Sequence, residues 1–163
     1  MSGPTARLAE LGLSLPVVPA PVAAYVPAVR TGNLVYTSGQ LPFVAGELST
    51  VGKVGGEVTV EEAAECARVC ALNALAAIAA EVGALEQVAR VVKVVIFVSG
   101  TPDFTGQAQV GNGASEFLGE VFGESGRHAR SAVGVASLPL DAPVEVELVV
   151  EVAAQPRVQM VSA

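Results

Sequence analysis

Arg130 has the clearest potential for ligand chemistry in this sequence. His128 stands two positions before it, and in an extended chain residues two apart lie on the same side. The next positions on that side carry only small residues, namely Ala132, Gly134 and Ala136. Such residues leave room beside a guanidinium, whose planar N–H groups match a carboxylate through paired hydrogen bonds. The pattern therefore predicts an arginine that binds a carboxylate.

A purely structural role for Arg130 explains the same residues. Glu145 and Glu147 lie on a later extended segment, and an arginine opposite either of them would form an ordinary ion pair between strands. The pattern does not decide between the two interpretations. His128 could act as an acid, but a lone histidine near a turn is more often a polar surface residue.

The strands that would carry these residues follow from alternation and from β-branched content. Residues 144–152 place valine or leucine at every second position and glutamate at most of the others, which predicts a strand with one buried and one polar side. Further strands are predicted at 23–30, 33–37, 89–99 and 131–137, with a turn at 31–33.

Three helices are predicted. The longest begins at Thr59, which forms a capping-box pattern with Glu62, and ends at Gly83. Its small and apolar residues recur at intervals of three and four, so one smooth face can lie on a sheet. A short helix is predicted at 4–12 and another at 112–122. The order of elements predicts an α+β fold, a mixed sheet with helices packed on one face.

Composition limits the functions that remain. The 163 residues are 52% hydrophobic and only 15% charged, with a net charge of −7 and no cluster of Lys or Arg. This excess of negative charge argues against nucleic-acid binding. The apolar runs are too short or too interrupted to span a membrane, and the N-terminus has no signal-peptide pattern, so we expect a cytoplasmic protein. The low charge also predicts association with copies of the same chain.

The two cysteines, Cys66 and Cys70, are predicted to be small buried thiols on one face of the long helix. With one histidine in the chain, they lack partners for a metal site, and no cofactor is expected. We expect one domain over residues 1–155, with an N-terminal extension at 1–20 that holds the short helix. Residues 156–163 are expected to form a C-terminal tail.

Two motifs resemble those of a known family. One is residues 130–139, RSAVGVASLP, continued by VEVE at 144–147, and the other is NLVYTSGQ at 33–40, with Tyr25 upstream. Together they are similar to the two signatures of the YjgF/RidA (reactive intermediate deaminase) family, over roughly residues 20–152. The sequence departs from many family members at Ala132, where they carry cysteine. Its length and its longer loop at 99–111 resemble the longer branch of the family.

The resemblance implies a chorismate-mutase-like α+β fold, three subunits packed sheet to sheet as a barrel, and clefts between neighbours. It implies hydrolysis of imines and enamines to 2-keto acids and ammonia, without metal or cofactor. By position, Arg130 would hold the substrate carboxylate and Glu145 would position or activate water. The residues that would line the same pocket are Tyr25, Ser38, Gly39 and Asn112, with His128 close by.

Alternatives remain for these residues and for the function. Tyr25 could simply pack, Asn112 could cap a helix, Glu145 could be a solvated glutamate, and Ser38 and Gly39 are expected to offer backbone contacts rather than a nucleophile. A carboxylate-binding regulator without catalysis and an endoribonuclease are the competing functions. The negative charge weighs against the endoribonuclease.

Overall fold

The computed structural model describes residues 3–18 and 24–153. Its helices are α1 (Pro4–Glu10), α2 (Val60–Val82) and α3 (Gln107–Phe122). Its strands are β1 (Ala28–Thr31), β2 (Leu34–Thr37), β3 (Phe43–Val44), β4 (Glu47–Leu48), β5 (Val88–Ser99), β6 (Ala129–Val135) and β7 (Val144–Val152). The predicted tail at 156–163 lies outside the described residues.

The main sheet has five strands in the order β1-β2-β7-β5-β6. Strands β5 and β6 run parallel, and the other pairs run antiparallel. Parallel neighbours need a crossover connection, and α3 supplies it between β5 and β6. Strands β3 and β4 form a separate hairpin. The predicted mixed sheet with helices on one face is confirmed.

Helix α2 forms as the sequence predicts. Thr59 accepts a hydrogen bond from the backbone of Glu62 at 3.2 Å, and the Glu62 carboxylate accepts one from the backbone of Thr59 at 2.8 Å, which completes the capping box. By length and composition this helix could span a membrane, but 56% of its most apolar window is buried inside the fold. The helix is therefore the core helix of the domain.

The strand β7 separates the two faces of the sheet. Val144, Val146, Leu148, Val150 and Val152 are at most 1% exposed and face the helices. The glutamates between them point to the other face. That face also carries Val29, Tyr36 and Val133, which are 41–53% exposed. A wide, partly apolar sheet surface is thus left uncovered in the single chain.

Several boundaries differ from the sequence prediction. Strand β1 begins at Ala28, and residues 24–27 of the predicted strand lie outside it, because Pro27 has no N–H for a ladder. Residue 23 is outside the described part of the chain. Helix α3 begins at Gln107, five residues before the predicted 112. The sequence did not indicate this start because the N-cap is Gly106, which has no capping side chain. The β3–β4 hairpin was not predicted. Its turn uses Ala45 and Gly46, both with positive φ.

The N-terminal helix α1 packs onto the domain. Leu8 is 2% exposed within the core. Arg7 Nη1 donates to the carbonyl of Glu120 at 3.2 Å, and the backbone N–H of Thr5 donates to Glu86 at 3.3 Å. The predicted helix therefore exists, and it is docked against α3 and the segment that precedes β5.

Candidate active site divided between two sheet faces

Arg130 lies against helix α3, and three acceptors of that helix hold its guanidinium. Nη1 donates to Asn112 Oδ1 at 2.9 Å and to Ser115 Oγ at 3.1 Å, while Nη2 donates to the carbonyl of Ala108 at 3.3 Å. Positions 108, 112 and 115 are four and three apart, so they form one stripe along the helix. This stripe is an acceptor surface that fixes the orientation of the arginine.

Gly111 makes this close packing possible. It is buried, and a Cβ at this position would lie 3.3 Å from Arg130 Nη1 and 3.0 Å from Ile96 Cδ1. A side chain here would push the guanidinium away from α3. The alternative of Asn112 as a helix cap is wrong, because Asn112 lies inside α3 and the N-cap is Gly106.

The guanidinium keeps donors for a ligand. Within residues 3–18 and 24–153, its Nε and one hydrogen of Nη2 have no hydrogen-bond partner. Two such N–H groups can bind the two oxygens of a carboxylate in parallel. The ion pair with Glu145 or Glu147 that the sequence allowed does not form within these ranges.

His128 and Ser115 continue the polar cluster around Arg130. His128 Nε2 lies 2.9 Å from Ser115 Oγ, and His128 Nδ1 lies 2.6 Å from the carbonyl oxygen of Gly126. These residues line an open groove of about 380 Å³, together with Gly119 and Arg127. We call Ala108, Asn112, Ser115, His128 and Arg130 the arginine cluster.

Glu145 belongs to a second group of predicted residues. A Cβ at Gly39 would overlap the Glu145 carboxylate, with the carboxyl carbon 2.6 Å from the Cβ position. Two backbone hydrogen bonds between Gln40 and Val146, of 2.9 and 3.0 Å, keep this segment beside β7. Ser38 donates its hydroxyl to the carbonyl of Val26 at 2.6 Å. We call Ser38, Gly39 and Glu145 the glutamate cluster.

The surroundings of Glu145 favour its protonated form. Partial burial of the carboxylate raises the pKa of Glu145 above its ordinary value of 4.5, and repulsion from the nearby Glu147 raises it further. A carboxylate with a raised pKa accepts a proton more readily than an ordinary surface glutamate. Glu145 is therefore suited to general-base chemistry.

The arginine cluster and the glutamate cluster lie on opposite faces of the sheet. Arg130 pairs with Val94 in the β5–β6 ladder, and Val94 pairs with Leu148 on the side that faces the helices. Glu145 pairs with Phe97 and lies between the buried residues Val144 and Val146, so its side chain points to the face away from the helices. A single chain therefore does not bring Arg130 and Glu145 into one pocket.

Tyr25 is placed near the glutamate cluster by the chain. Tyr25 is 56% exposed, and it directly precedes Val26, whose carbonyl accepts a hydrogen bond from Ser38. The sequence reasoning missed Ala108, Gly111 and Ser115 as partners of Arg130. The stripe at positions 108, 112 and 115 is a signal that could have revealed them, but only once the start of α3 was known.

Neither cysteine belongs to these clusters. Cys66 and Cys70 are buried and unpaired by disulfide, as predicted. Burial raises the pKa of the Cys70 thiol well above its ordinary value, so this thiol is unsuited to act as a nucleophile. Among the residues that the structure describes, no group of three His, Cys, Asp or Glu side chains could hold a metal ion.

Comparison with known proteins identifies the family. The sequence model described as "Endoribonuclease L-PSP" matches residues 16–152, which include both clusters. The chain belongs to this family, also called YjgF/RidA. The family predicted from the motifs around Arg130 and Gly39 is confirmed.

Similar members of the YjgF/RidA family align over most of the chain. Protein TCP17 of Trypanosoma cruzi is 46% identical over 90% of this chain and 92% of its own length. A 2-iminobutanoate/2-iminopropanoate deaminase of Dermatophagoides farinae is 36% identical over 85% of this chain and 93% of its own length. The crystal structure of Atu1372 from Agrobacterium tumefaciens, described as of unknown function, superposes with a TM-score of 0.84 at 45% identity, covering 91% of each chain.

Proposed function

We propose that this protein hydrolyses imines and enamines of small 2-amino acids to 2-keto acids and ammonia, in clefts between copies of the chain. The observation that carries the proposal is the division of the site. One sheet face bears Arg130, which can bind a carboxylate, and the other bears Glu145, a carboxylate with raised pKa. Two copies brought together would supply both halves to one cleft.

The uncovered face of the sheet supports the assembly. Val29, Tyr36 and Val133 leave apolar area on that face, and a chain with 15% charged residues is poorly equipped to keep it in water. We infer a homotrimer packed sheet to sheet. Light scattering should give about three times the chain mass of 16.4 kDa. A monomer at micromolar concentration would remove the cleft from the proposal.

The reaction needs few groups, because an imine carbon is already electrophilic. Arg130 would bind the substrate carboxylate through Nε and Nη2, which orients the C=N group. Glu145 of the neighbouring copy would accept a proton from water as the water oxygen bonds to that carbon. Glu145 returns this proton to the nitrogen, which gives a C(OH)–NH2 adduct. Glu145 then takes the hydroxyl proton as the C=O group forms and passes it to the nitrogen, which leaves as NH3. An enamine would first gain a proton at carbon and lose one from nitrogen, which converts it to the imine.

The other predicted residues would shape the cleft. Asn112 supports Arg130 through the 2.9 Å hydrogen bond. Gly39 leaves the space that Glu145 occupies. Tyr25, which precedes β1, and Ser38, which follows β2, would line one wall of the cleft. Ser38 is not placed to be a nucleophile, since its hydroxyl is bonded to a backbone carbonyl.

Relatives and charge bear on the competing functions. The name of the Dermatophagoides farinae relative supports imine hydrolysis, whereas the name of the Trypanosoma cruzi relative states no activity. Three chains of −7 would carry a charge of −21, which would repel RNA and disfavours the endoribonuclease. A regulator that binds carboxylates would use the same clamp without turnover. A cytoplasmic location stays a prediction from the sequence.

The decisive assay is release of ammonia and 2-keto acid from 2-aminoacrylate or 2-iminobutanoate generated in the cuvette, compared with spontaneous hydrolysis. We expect acceleration by the wild type and none by Arg130→Ala. If the wild type binds 2-oxobutanoate by calorimetry but accelerates no imine, the regulator is the better account. If it does neither, the carboxylate clamp is wrong.

A further inference from the structure

Ser115 and His128 form a chain of hydrogen bonds with a defined direction. The carbonyl of Gly126 can only accept, so the nitrogen 2.6 Å from it, His128 Nδ1, carries the hydrogen. In a neutral imidazole the other nitrogen, Nε2, is then an acceptor. It receives the hydroxyl hydrogen of Ser115 at 2.9 Å.

The direction of these hydrogen bonds determines whether the Ser115 hydroxyl can accept from Arg130. With its hydrogen pointing to His128, the Ser115 oxygen turns its lone pairs toward Arg130 Nη1, 3.1 Å away. Nη1 has two hydrogens, and Asn112 and Ser115 provide an acceptor for each. Neither hydrogen of Nη1 is left over for a ligand, so a carboxylate must bind on the Nε and Nη2 side.

The Gly126 end of this series of hydrogen bonds is held rigidly. Gly126 is buried, and a Cβ on it would lie 2.8 Å from the carbonyl carbon of Leu118, so its backbone rests directly on helix α3. Ser115, which donates to the imidazole, lies on helix α3, and Gly126, which accepts from it, packs against the same helix. The groove beside them is open to solvent.

We propose that Ser115 and His128 are positioning residues that hold the Arg130 guanidinium in the single orientation that presents Nε and Nη2 to a carboxylate. The part of this proposal that concerns the carboxylate rests on the proposed function. The part that concerns the orientation of Arg130 is a property of the free protein. In this account His128 acts through Ser115 and Arg130 and does not contact the substrate.

Nitrogen NMR tests the orientation without any ligand. The chain has one histidine, so its imidazole signals need no assignment, and we expect the hydrogen on Nδ1 in the neutral form. The Arg130 Nη1 hydrogens, identified by their loss in Arg130→Lys, should give two separate signals because bonding slows rotation of this group. Ser115→Ala and His128→Phe should merge them. A hydrogen on Nε2, or separate signals in Ser115→Ala, would overturn the proposal.

Matched variants separate positioning from general damage. His128→Gln places an amide oxygen where it can accept from Ser115, so it should keep the Nη1 signals separate, unlike His128→Phe. Arg127→Ala removes a neighbouring cation that pairs with Glu124 at 3.1 Å, and it should leave the two Nη1 signals separate. Loss of separate signals in His128→Gln and His128→Phe alike, with Arg127→Ala unaffected, would contradict the need for an acceptor at this point.

Ligand binding gives the second readout. The affinity for 2-oxobutanoate by calorimetry should fall by about threefold to tenfold in Ser115→Ala and His128→Phe, the effect of one lost hydrogen bond, and recover in His128→Gln. In turnover KM should rise because the carboxylate is bound less tightly, and kcat should fall because a tilted guanidinium misaligns the C=N group. Unchanged affinity would contradict the proposal. Failure of imine turnover in the wild type, with the NMR result as expected, would instead reject only the proposed function.

Discussion

The carboxylate of Glu145 occupies the space where a side chain at Gly39 would lie. The two residues are distant in sequence, and the Gln40–Val146 backbone pair brings them together. Gly39 therefore leaves the space that the Glu145 carboxylate occupies, since any larger residue would displace it.

We predict that Gly39→Ala lowers kcat by about 10²-fold, the cost of moving a reacting group by about 1 Å. The fold should survive, because the displaced group is the flexible end of a glutamate. Activity and thermal melting should be measured together, with Gly3→Ala as the control, since a Cβ at Gly3 would meet only the side chain of Glu86, at 3.3 Å, outside both clusters. Full activity in Gly39→Ala would show that the position of Glu145 is unimportant.

Glu145→Gln should separate catalysis from binding. The amide has nearly the same size, and Arg130 still holds the carboxylate, so the affinity for 2-oxobutanoate should remain close to that of the wild type. Turnover should fall by about 10²- to 10⁴-fold, or roughly 3–5 kcal/mol of barrier, the usual contribution of a positioned acid–base group. An active Glu145→Gln would mean that another group positions the water.

Arg130→Lys should weaken carboxylate binding although it keeps the positive charge. An ammonium cannot make the two parallel hydrogen bonds of a guanidinium, and it cannot satisfy the acceptors of α3 in the same geometry. Calorimetry with 2-oxobutanoate should show weaker binding in Arg130→Lys and none in Arg130→Ala. Equal affinity in the wild type and Arg130→Ala would place the carboxylate elsewhere.

The pH dependence should reveal the environment of Glu145. A general base must be deprotonated, so kcat/KM should fall as the pH drops through the pKa of Glu145. That pKa is raised first by burial and then by Glu147, so the loss should occur at a higher pH than for an ordinary glutamate. Removing the charge in Glu147→Gln should move the acid limb to lower pH. An acid limb that does not move would exclude Glu145 as the titrating group.

Much of the fold could be predicted from local sequence signals. The capping box of Thr59 and Glu62 defined the start of α2, and the alternation in 144–152 defined β7 with the correct bounds. The β3–β4 hairpin was missed because a positive φ at Ala45 is not readable from an alanine. The early start of α3 was missed because Gly106 supplies no capping side chain.

The division of the site could not be predicted from local signals. Arg130 and Glu145 each sit on strands whose side-chain alternation is clear, but alternation does not say which side of one strand matches which side of another. That depends on the ladder through β5, in which Val94 is opposite Arg130 and Phe97 is opposite Glu145. Ser115 was missed for a related reason, since its role depends on the register of α3 against β6.

The measurement that tests the shared cleft most directly is complementation between two inactive variants. Arg130→Ala and Glu145→Gln should be unfolded together, refolded as mixed trimers and assayed for imine hydrolysis. If each cleft takes Arg130 from one copy and Glu145 from its neighbour, random mixing makes about a quarter of the clefts complete, and activity should return to roughly that fraction of wild type. If mixed trimers form and remain as inactive as the two variants alone, both residues must come from one chain, and the account of the site is wrong.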